Sequence, residues 1–402
     1  MSEFANDATA NLPEKPIYLD YQATTPVDER VLSEMLPFLR EDFGNPHSVH
    51  HVYGRRAEAA MTRARQEVAG LLGATAREIV FTSGATESNN TAIKGAARFH
   101  GALGKSHLIT VATEHKCVLE SCKRLESEGF AVTYLSVDGD GLVDPKAVAA
   151  AIRSDTVLVS VMAVNNEIGV IQPLGEIGEI CRAHGVMLHV DAAQAVGKIP
   201  LDVKDMPVDL LSLSGHKIYG PKGVGALYVR RRPRARIEPL FDGGGQERGM
   251  RAGTVPTPLV VGLGAACRIA AAEMDAEHRR LQSLYQRLRE GLAAAVPDIR
   301  VNGSETARIP GNLNICIPGL DAETLITHLP TLAVSTASAC SSASVEPSYV
   351  LSALGLSDAD AAASLRIGLG RYTTMAEVDR AVGEIAETVQ RLRDAGAAAE
   401  AN

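Results

Sequence analysis

The sequence predicts an α/β fold in which a mostly parallel sheet lies between layers of helices. Through the middle of the chain, strongly apolar strand-like segments alternate with amphipathic helical segments. Strands this apolar are covered on both faces, which is typical of a parallel sheet flanked by helices. The chain has 402 residues, of which 46% are apolar and 22% charged, so it is a globular protein large enough for two domains.

The larger domain is predicted over residues 28–275 and contains the alternating segments. Its predicted strands lie at 78–84, 106–113, 131–137, 156–162, 186–192, 208–215 and 224–230. The first five strand segments are separated by predicted helices at 85–99, 115–129, 144–155 and 173–185. The segment 258–274 is predicted to form a further, buried helix. It is too short and too polar to span a membrane.

A smaller α+β domain is predicted from residues 1–27 together with 276–402. A long helix with charged faces, at 273–295, leads into it. The strand segments that follow are "NLNICIP", "LAVST" and "SLRIGLG", with helices at "DAETLITHL" and at the end of the chain.

Charge and cysteine content restrict the partners and the compartment. A net charge of −8 argues against general nucleic-acid binding, and the five arginines of "VRRRPRAR" at 229–236 are expected in a solvated loop. The N-terminus has no apolar run, so no secretory signal is expected. The six cysteines form no CxxC pair, which indicates free thiols in a reducing cytoplasm. The spacing of His115, Cys117 and Cys122 matches no zinc pattern.

Polar residues at the carboxyl ends of the predicted strands are the candidate ligand-binding groups, because open parallel sheets bind ligands there. Ser83, Gly84, Ala85 and Thr86 open a helix after one strand and offer backbone N–H groups to an anion. The alternative is a capped helix without a ligand. No GK[ST] follows, so the segment is not a Walker A loop.

Two other strand ends carry an acid and a lysine. Asp191 and Gln194 end an apolar strand, where a buried carboxylate needs a cationic partner, either a ligand or a structural salt bridge. Lys217 follows another strand within an apolar, Gly-rich segment, and a desolvated lysine can form Schiff bases. Lys222 competes for this role, but its place in a turn suggests exposure.

These three features match the needs of one cofactor, pyridoxal phosphate. Its phosphate suits a helix N-terminus, its pyridinium nitrogen suits a carboxylate, and its aldehyde requires a lysine. The sequence therefore predicts a pyridoxal phosphate enzyme.

The sequence resembles the cysteine desulfurases of the NifS/IscS type, which belong to the class V aminotransferase group of fold-type I pyridoxal phosphate enzymes. The resemblance extends over about residues 16–395. The segments that carry it are "YLDYQATTPVD", "FGNPHS", "EIVFTSGATESNN", "TEHKCVL", "VNNEIGV", "HVDAAQAVGK", "SGHKIYGPKGVGALYVR", "GGGQERGMRAGT", "SACSSASVEPSYVL" and "LRIGLGRYTT".

The resemblance implies a role for each strand-end residue. Lys217 would carry the cofactor as a Schiff base and move the substrate proton, and His115 would stack on the ring and handle protons. The other implied cofactor contacts are Ala85, Thr86, Ser214 and His216 at the phosphate, Asp191 at the ring nitrogen, Gln194 at the ring hydroxyl, and Asn166 beside cofactor and substrate.

Two further residues take their roles only from the resemblance. Arg366 would clamp the substrate carboxylate, a task suited to a bidentate donor; without the resemblance it would be a structural charge at a strand end. Thr254 would reach the phosphate of the neighbouring subunit, which implies a homodimer.

Cys340 is the nucleophile that the resemblance implies, on a mobile loop of small residues. It would take the sulfur of L-cysteine as a persulfide, release L-alanine, and pass the sulfur to an acceptor such as an iron–sulfur scaffold, where it would also ligate the nascent cluster. Thr336 and Ala337 replace the family's usual Ser-Gly, and the C-terminal tail is shorter than in the family's long form. The alternatives are a selenocysteine lyase or another class V aminotransferase; a non-catalytic scaffold would not need Lys217, Asp191 or Cys340.

Overall fold

The computed structural model describes residues 15–336 and 347–400. The strands are β1 (Ile17–Tyr18), β2 (Ile79–Thr82), β3 (His107–Val111), β4 (Ala131–Leu135), β5 (Thr156–Met162), β6 (Met187–Asp191), β7 (Leu210–Ser214), β8 (Gly225–Val229), β9 (Arg300–Val301), β10 (Asn312–Cys316), β11 (Leu332–Ala333), β12 (Ser335–Thr336) and β13 (Ser364–Gly368). The α-helices are α1 (Glu29–Arg40), α2 (Val52–Leu71), α3 (Ala85–Gly101), α4 (Lys116–Ser127), α5 (Pro145–Ala151), α6 (Leu174–His184), α7 (Thr257–Ala295), α8 (Ala322–Thr327), α9 (Tyr349–Ala353), α10 (Asp358–Ala362) and α11 (Met375–Glu400).

The central sheet has seven strands in the order β2-β8-β7-β6-β5-β3-β4. Strand β8 runs antiparallel to its neighbours β2 and β7, and the other neighbouring pairs are parallel. Every residue of β3, β5, β7 and β8 is buried. The predicted mostly parallel mixed sheet is confirmed, and the apolar strand segments are buried because helices cover both faces.

A second, smaller sheet lies in the C-terminal part of the chain. It has the order β12-β13-β10-β9, and its pairs are antiparallel. The predicted single strand "LAVST" is divided: β11 pairs in parallel with β1, whereas β12 pairs with β13. The N-terminal strand therefore pairs with the C-terminal part of the chain.

One continuous helix, α7, connects the main hydrophobic core of the large sheet with that of the small sheet. The sequence analysis predicts two helices here, at 258–274 and 273–295, and the structure corrects this to a single helix of 39 residues. Apolar residues from Val260 to Ile269 pack in the core of the large sheet, and those from Leu281 to Leu292 pack in the core of the small sheet. The polar stretch between them is rich in Ala, Glu and Arg, good helix formers, so the helix continues across it. The predicted domain boundary at 275 falls within this helix and stays a prediction.

Helices α1 and α2 were not predicted from the sequence. Asp28 caps α1, with its Oδ1 accepting a hydrogen bond from the Arg30 amide at 2.9 Å. Only Val31 and Met35 of α1 are buried. Its other apolar residues recur at helical spacing, so the sequence carries a periodic signal for α1 even though much of that apolar face is exposed.

The arginine-rich segment 229–236 lies mostly at the surface. Arg231, Arg232, Arg234 and Arg236 are exposed, as predicted for a solvated loop. Of the helices in residues 15–336 and 347–400, none combines the length and the apolar character that crossing a bilayer requires.

Candidate active site

A cleft of about 440 Å³ lies at the carboxyl ends of the parallel strands of the large sheet. The loops after β2, β3, β5, β6 and β7 contribute to its wall, and β13 of the small sheet adds one residue. The predicted site residues that line it are Ala85, Thr86, His115, Asn166, Asp191, Gln194, Ser214, His216, Lys217 and Arg366. Thr254 is exposed and does not line this cleft, and Cys340 lies outside the described residues.

The N-terminus of α3 forms one end of the cleft. Gly84, the residue before the helix, packs directly on β8: a Cβ added at Gly225 would lie 2.7 Å from the Gly84 Cα atom. The Ser83 amide donates to Glu87 Oε2 at 2.9 Å, whereas amides in the first turn of a helix have no intrahelical acceptor. The Ala85 and Thr86 amides are therefore the donors that this helix offers to an anion.

Ser214 and His216 flank this helix terminus from the end of β7. His216 Nδ1 lies 3.1 Å from Thr24 Oγ1, which orients the ring. Burial, followed by the charge of Lys217, lowers the pKa of His216 to about 4. At neutral pH the imidazole is uncharged in the absence of an anion.

Asp191 ends β6 and is almost fully buried, with 4% of its surface exposed. Its Oδ2 accepts from Asn89 Nδ2 at 2.7 Å, and its Oδ1 accepts from the Ala193 amide at 3.0 Å. No salt bridge of Asp191 occurs among residues 15–336 and 347–400, so the structural ion pair considered as an alternative is not found there. A buried carboxylate with neutral partners still favours a cation.

Lys217 reaches the cleft from the turn after β7. Its Nζ donates to the Ala23 carbonyl at 2.8 Å and to the Gln22 carbonyl. Lys222, the competing lysine, also lines the cleft, but it is exposed in its turn, as predicted. Lys217 is partly buried, and its amine is held by backbone groups of the N-terminal segment.

His115 is the N-cap residue of α4, and this local role determines its proton arrangement. Its Nδ1 accepts from the Cys117 amide at 3.2 Å and lies 3.0 Å from Cys117 Sγ. Burial lowers the pKa of His115, so the ring is neutral at neutral pH. Because Nδ1 is an acceptor, the neutral ring carries its proton on Nε2.

Arg366 projects from β13 and is 1% exposed. Its Nη2 lies 2.8 Å from Asp20 Oδ1, and its Nη1 donates to the Asn166 carbonyl at 3.1 Å. Within the described part of the chain, Arg366 Nε and Asn166 Oδ1 are buried without hydrogen-bond partners. A buried group left in this state indicates a missing partner, and for Arg366 a carboxylate would fit.

The thiols of the described residues are poor nucleophiles. Burial raises the pKa of Cys117, Cys122 and Cys181 to about 12. The reactive form of cysteine is the thiolate, so these side chains are inert at neutral pH. In the same ranges no group of three or more His, Cys, Asp or Glu side chains is arranged to hold a metal ion.

Sequence reasoning missed the residues that hold these groups in place. Asn89 orients Asp191, Asp20 pairs with Arg366, and the Gln22 and Ala23 carbonyls hold Lys217. Asn89 and Asp20 lie within quoted motifs, "SGATESNN" and "YLDYQATTP", which was the available signal. Backbone carbonyls leave no signal in the side-chain pattern.

The residues present fit pyridoxal phosphate. The amides of α3 with Ser214 and His216 suit its phosphate, and the buried Asp191 carboxylate, which has no salt bridge among the described residues, suits its ring nitrogen. Lys217 supplies an amine within the same cleft. Arg366 Nε, which has no acceptor among the described residues, could bind the carboxylate of an amino acid.

Comparisons with known proteins agree with this geometry. The aminotransferase class V family model matches residues 17–381. A relative from Homo sapiens named cysteine desulfurase is 58% identical over 391 residues, covering 96% of this chain and 85% of the relative. Among solved structures, a NifS-like protein is 38% identical with a TM-score of 0.87, covering 93% of this chain and 99% of that one. The structure "SspA in complex with cysteine" is 42% identical with a TM-score of 0.79, covering 89% and 100%.

Proposed function

This chain belongs to the aminotransferase class V family and, within it, to the cysteine desulfurases, and from this premise we propose that it transfers the sulfur of L-cysteine to Cys340 and releases L-alanine. The balanced reaction converts L-cysteine and the Cys340 thiol into L-alanine and a Cys340 persulfide. The observation that carries the proposal is the convergence of Lys217, Asp191 and Arg366 in one cleft. Pyridoxal phosphate is the cofactor that such a donor set would hold.

When bound, pyridoxal phosphate withdraws electrons from the carbon atoms of an attached amino acid. The protein's part is to orient it: Asp191 would hold the ring nitrogen, and the Ala85 and Thr86 amides would hold the phosphate with Ser214 and His216. Asn89 keeps the Asp191 carboxylate in place through a hydrogen bond of 2.7 Å. The phosphate would also favour the protonated form of His216.

Arg366 would bind the substrate carboxylate. Its position is fixed by Asp20 and by the Asn166 carbonyl, while Nε faces no acceptor among the described residues. Asn166 Oδ1, also unpartnered there, would accept a hydrogen bond from the substrate or cofactor. The two contacts with Asp20 and Asn166 fix the guanidinium plane, so Nε, which has no acceptor in residues 15–336 and 347–400, would meet the incoming carboxylate in a single orientation.

Lys217 and His115 would move the protons of the reaction. Lys217 Nζ would take the proton from the substrate Cα once it is displaced from its carbonyl partners. His115 carries a proton on Nε2 in its neutral form, because Nδ1 accepts from Cys117, and can donate it within the cleft.

Cys340 would attack the substrate sulfur, so that the bond between sulfur and Cβ breaks and a sulfur–sulfur bond forms. The raised pKa values of Cys117, Cys122 and Cys181 support this choice, because those thiols are mostly protonated at neutral pH. Cys316, whose pKa burial also raises, lies within β10.

The test measures alanine released from L-cysteine by the cofactor-loaded protein. The wild type should release alanine, and Lys217→Ala should release none because it lacks the amine. Borohydride reduction of the loaded wild type should fix the cofactor to a peptide containing Lys217. Fixation to Lys222, or full alanine release by Lys217→Ala, would refute the assignment; a strong preference for selenocysteine would favour the lyase alternative.

We also propose that an iron–sulfur scaffold protein in the cytoplasm accepts the persulfide sulfur, and that Cys340 contacts the nascent cluster. The free described thiols support a reducing compartment. Persulfidated protein mixed with such a scaffold and ferrous iron should generate cluster absorbance, and Cys340→Ala should not. An equal yield from Cys340→Ala would contradict the proposal.

A further inference from the structure

Lys198 lies beside the site: it does not line the cleft, but it contacts a residue that does. It follows Gln194 by four residues, in the segment after β6. Its Nζ donates to Gln194 Oε1 at 2.9 Å. The Gln194 Nε2 donates in turn to the Gln22 carbonyl at 2.8 Å. Gln194 itself lines the cleft and is 3% exposed.

These two contacts fix the orientation of the Gln194 amide. Lys198 Nζ donates to the oxygen of the Gln194 amide. The Gln22 carbonyl, which can only accept, lies against the NH₂ group of the same amide. The oxygen must therefore face Lys198, and the NH₂ group must face Gln22. Without Lys198, only the Gln22 carbonyl would oppose rotation of the amide.

The same Gln22 carbonyl also accepts from Lys217 Nζ. Lys198, Gln194 and Lys217 are thus linked around one backbone oxygen. The Gln22 side chain anchors this segment, because its Nε2 donates to the Gly311 carbonyl at 2.7 Å. Three hydrogen bonds therefore connect Lys198 to the cofactor lysine.

We propose that Lys198 is a positioning residue that holds Gln194 with its NH₂ group towards the cleft, so that Gln194 donates a hydrogen bond to the ring oxygen of pyridoxal phosphate. This inference rests on the proposed function and adds a residue that neither the resemblance nor the cleft assigns. One Gln194 N–H donates to the Gln22 carbonyl, and the second, which has no acceptor in the described part of the chain, would donate to the ring oxygen.

The surroundings of Lys198 support a role beyond solubility. It lines a small cavity of about 30 Å³ behind Lys217, together with the ionisable side chains of Glu277, His278 and Arg371. Burial, followed by the charge of Lys217, lowers the pKa of Lys198 to about 7. Both the ammonium and the neutral amine can donate to Gln194, so the contact persists through this titration.

The test is a pH titration of the visible absorbance of the cofactor-loaded protein. In Lys198→Met the ring oxygen loses an oriented donor and holds the proton of the linked lysine nitrogen more tightly. The pH midpoint of the absorbance change should rise by about 0.5 to 1 unit, which corresponds to the free energy of one hydrogen bond. Lys204→Met, at an exposed lysine, is the matched control and should keep the wild-type midpoint.

A double-mutant cycle tests the route through Gln194. Gln194→Met should raise the midpoint at least as far as Lys198→Met, and the double variant should add nothing to Gln194→Met. An unchanged midpoint in Lys198→Met, or fully additive shifts, would overturn the inference. Thermal unfolding of each cofactor-free variant checks that the variant is folded. If Lys198→Met does not fold, Lys198→Gln replaces it, because the glutamine side chain is too short to reach Gln194.

Failure of the inference and failure of the proposed function are distinguishable. If the wild type takes up no pyridoxal phosphate, shows no visible band and releases no alanine, the proposed function fails. If the wild type shows the band and Lys198→Met titrates as Lys204→Met does, only the role of Lys198 fails.

Discussion

Arg366 is a buried cation whose partners use only part of its donor capacity. Asp20 and the Asn166 carbonyl hold its terminal nitrogens, and its Nε has no partner within the described residues. A guanidinium held in this way has a fixed plane, and a lysine would have neither that plane nor a donor at the position of Nε.

We therefore predict that Arg366→Lys raises the KM for L-cysteine while the protein still binds pyridoxal phosphate. The loss of one charge-assisted hydrogen bond corresponds to an increase on the order of tenfold to a hundredfold. Steady-state kinetics and the visible absorbance of the cofactor measure the two effects separately. Arg279→Lys, at an exposed site on α7, is the control, and an unchanged KM in Arg366→Lys would exclude the carboxylate clamp.

At the scale of single residues, the sequence indicated the charged side chains at strand ends. It did not indicate the residues that hold those side chains in place. Lys217 and Asp191 were found because a charged side chain after an apolar strand is conspicuous. Lys198 was not, because a lysine two residues before a proline resembles any surface lysine. Its function depends on Gln194 and Gln22, the second of which is distant in sequence.

At the level of elements, a row of three hydrogen-bonded polar side chains crosses strands β5, β6 and β7 of the large sheet. His189 on β6 lies between Ser160 of β5, at 2.8 Å, and Ser212 of β7, at 3.1 Å. Side chains alternate along a strand, so His189 points to the same face as Asp191 two residues later. These hydrogen bonds link β5, β6 and β7, and the predicted cofactor-binding residues follow the ends of these three strands.

We predict that His189→Val destabilises the protein by about 2 to 4 kcal/mol, because the two serine hydroxyls lose a buried partner. Burial lowers the pKa of His189 to about 3, below its unfolded value, so its contribution is present above about pH 6.5 and is lost as the pH falls towards 3. Chemical unfolding of the cofactor-free protein at several pH values should show a weaker acid dependence in His189→Val. His184→Gln, at an exposed histidine of α6, should behave as the wild type; equal slopes in all three would contradict the account.

The strands of the large sheet were predictable because burial on both faces gives continuous apolar runs. Helix α1 was missed although its apolar residues recur at helical spacing, and α2 gives a weaker signal because its buried residues are mostly alanines. The division of 332–336 between two sheets depends on the partners β1 and β13, which local sequence does not encode.

At the level of the whole molecule, the cleft combines the two cores that α7 connects. Most of its wall belongs to the large sheet, and Arg366 comes from the small sheet. Thr254, exposed after the Gly-rich segment 243–253, does not contribute to the cleft of its own chain. The resemblance assigns Thr254 to the phosphate of a second subunit, so the homodimer stays a prediction.

We predict a homodimer with a site shared between subunits. Thr254→Glu would repel the phosphate in the partner's site, and Lys217→Ala removes the amine in its own site. In a heterodimer of these two variants, one site retains both Lys217 and the Thr254 of the opposite subunit. Subunit exchange should restore part of the alanine release, and a mixture that stays inactive despite heterodimers detected by native mass spectrometry would refute a shared site.

The most direct test of the whole account locates the sulfur after a single exposure to L-cysteine. The loaded protein is treated with L-cysteine, alkylated without reductant and digested, and the cysteine peptides are compared by mass. The account predicts one additional sulfur atom on the peptide containing Cys340, and none on it in Lys217→Ala. Alanine release with an unmodified Cys340 peptide, or with the sulfur on Cys117, would contradict it.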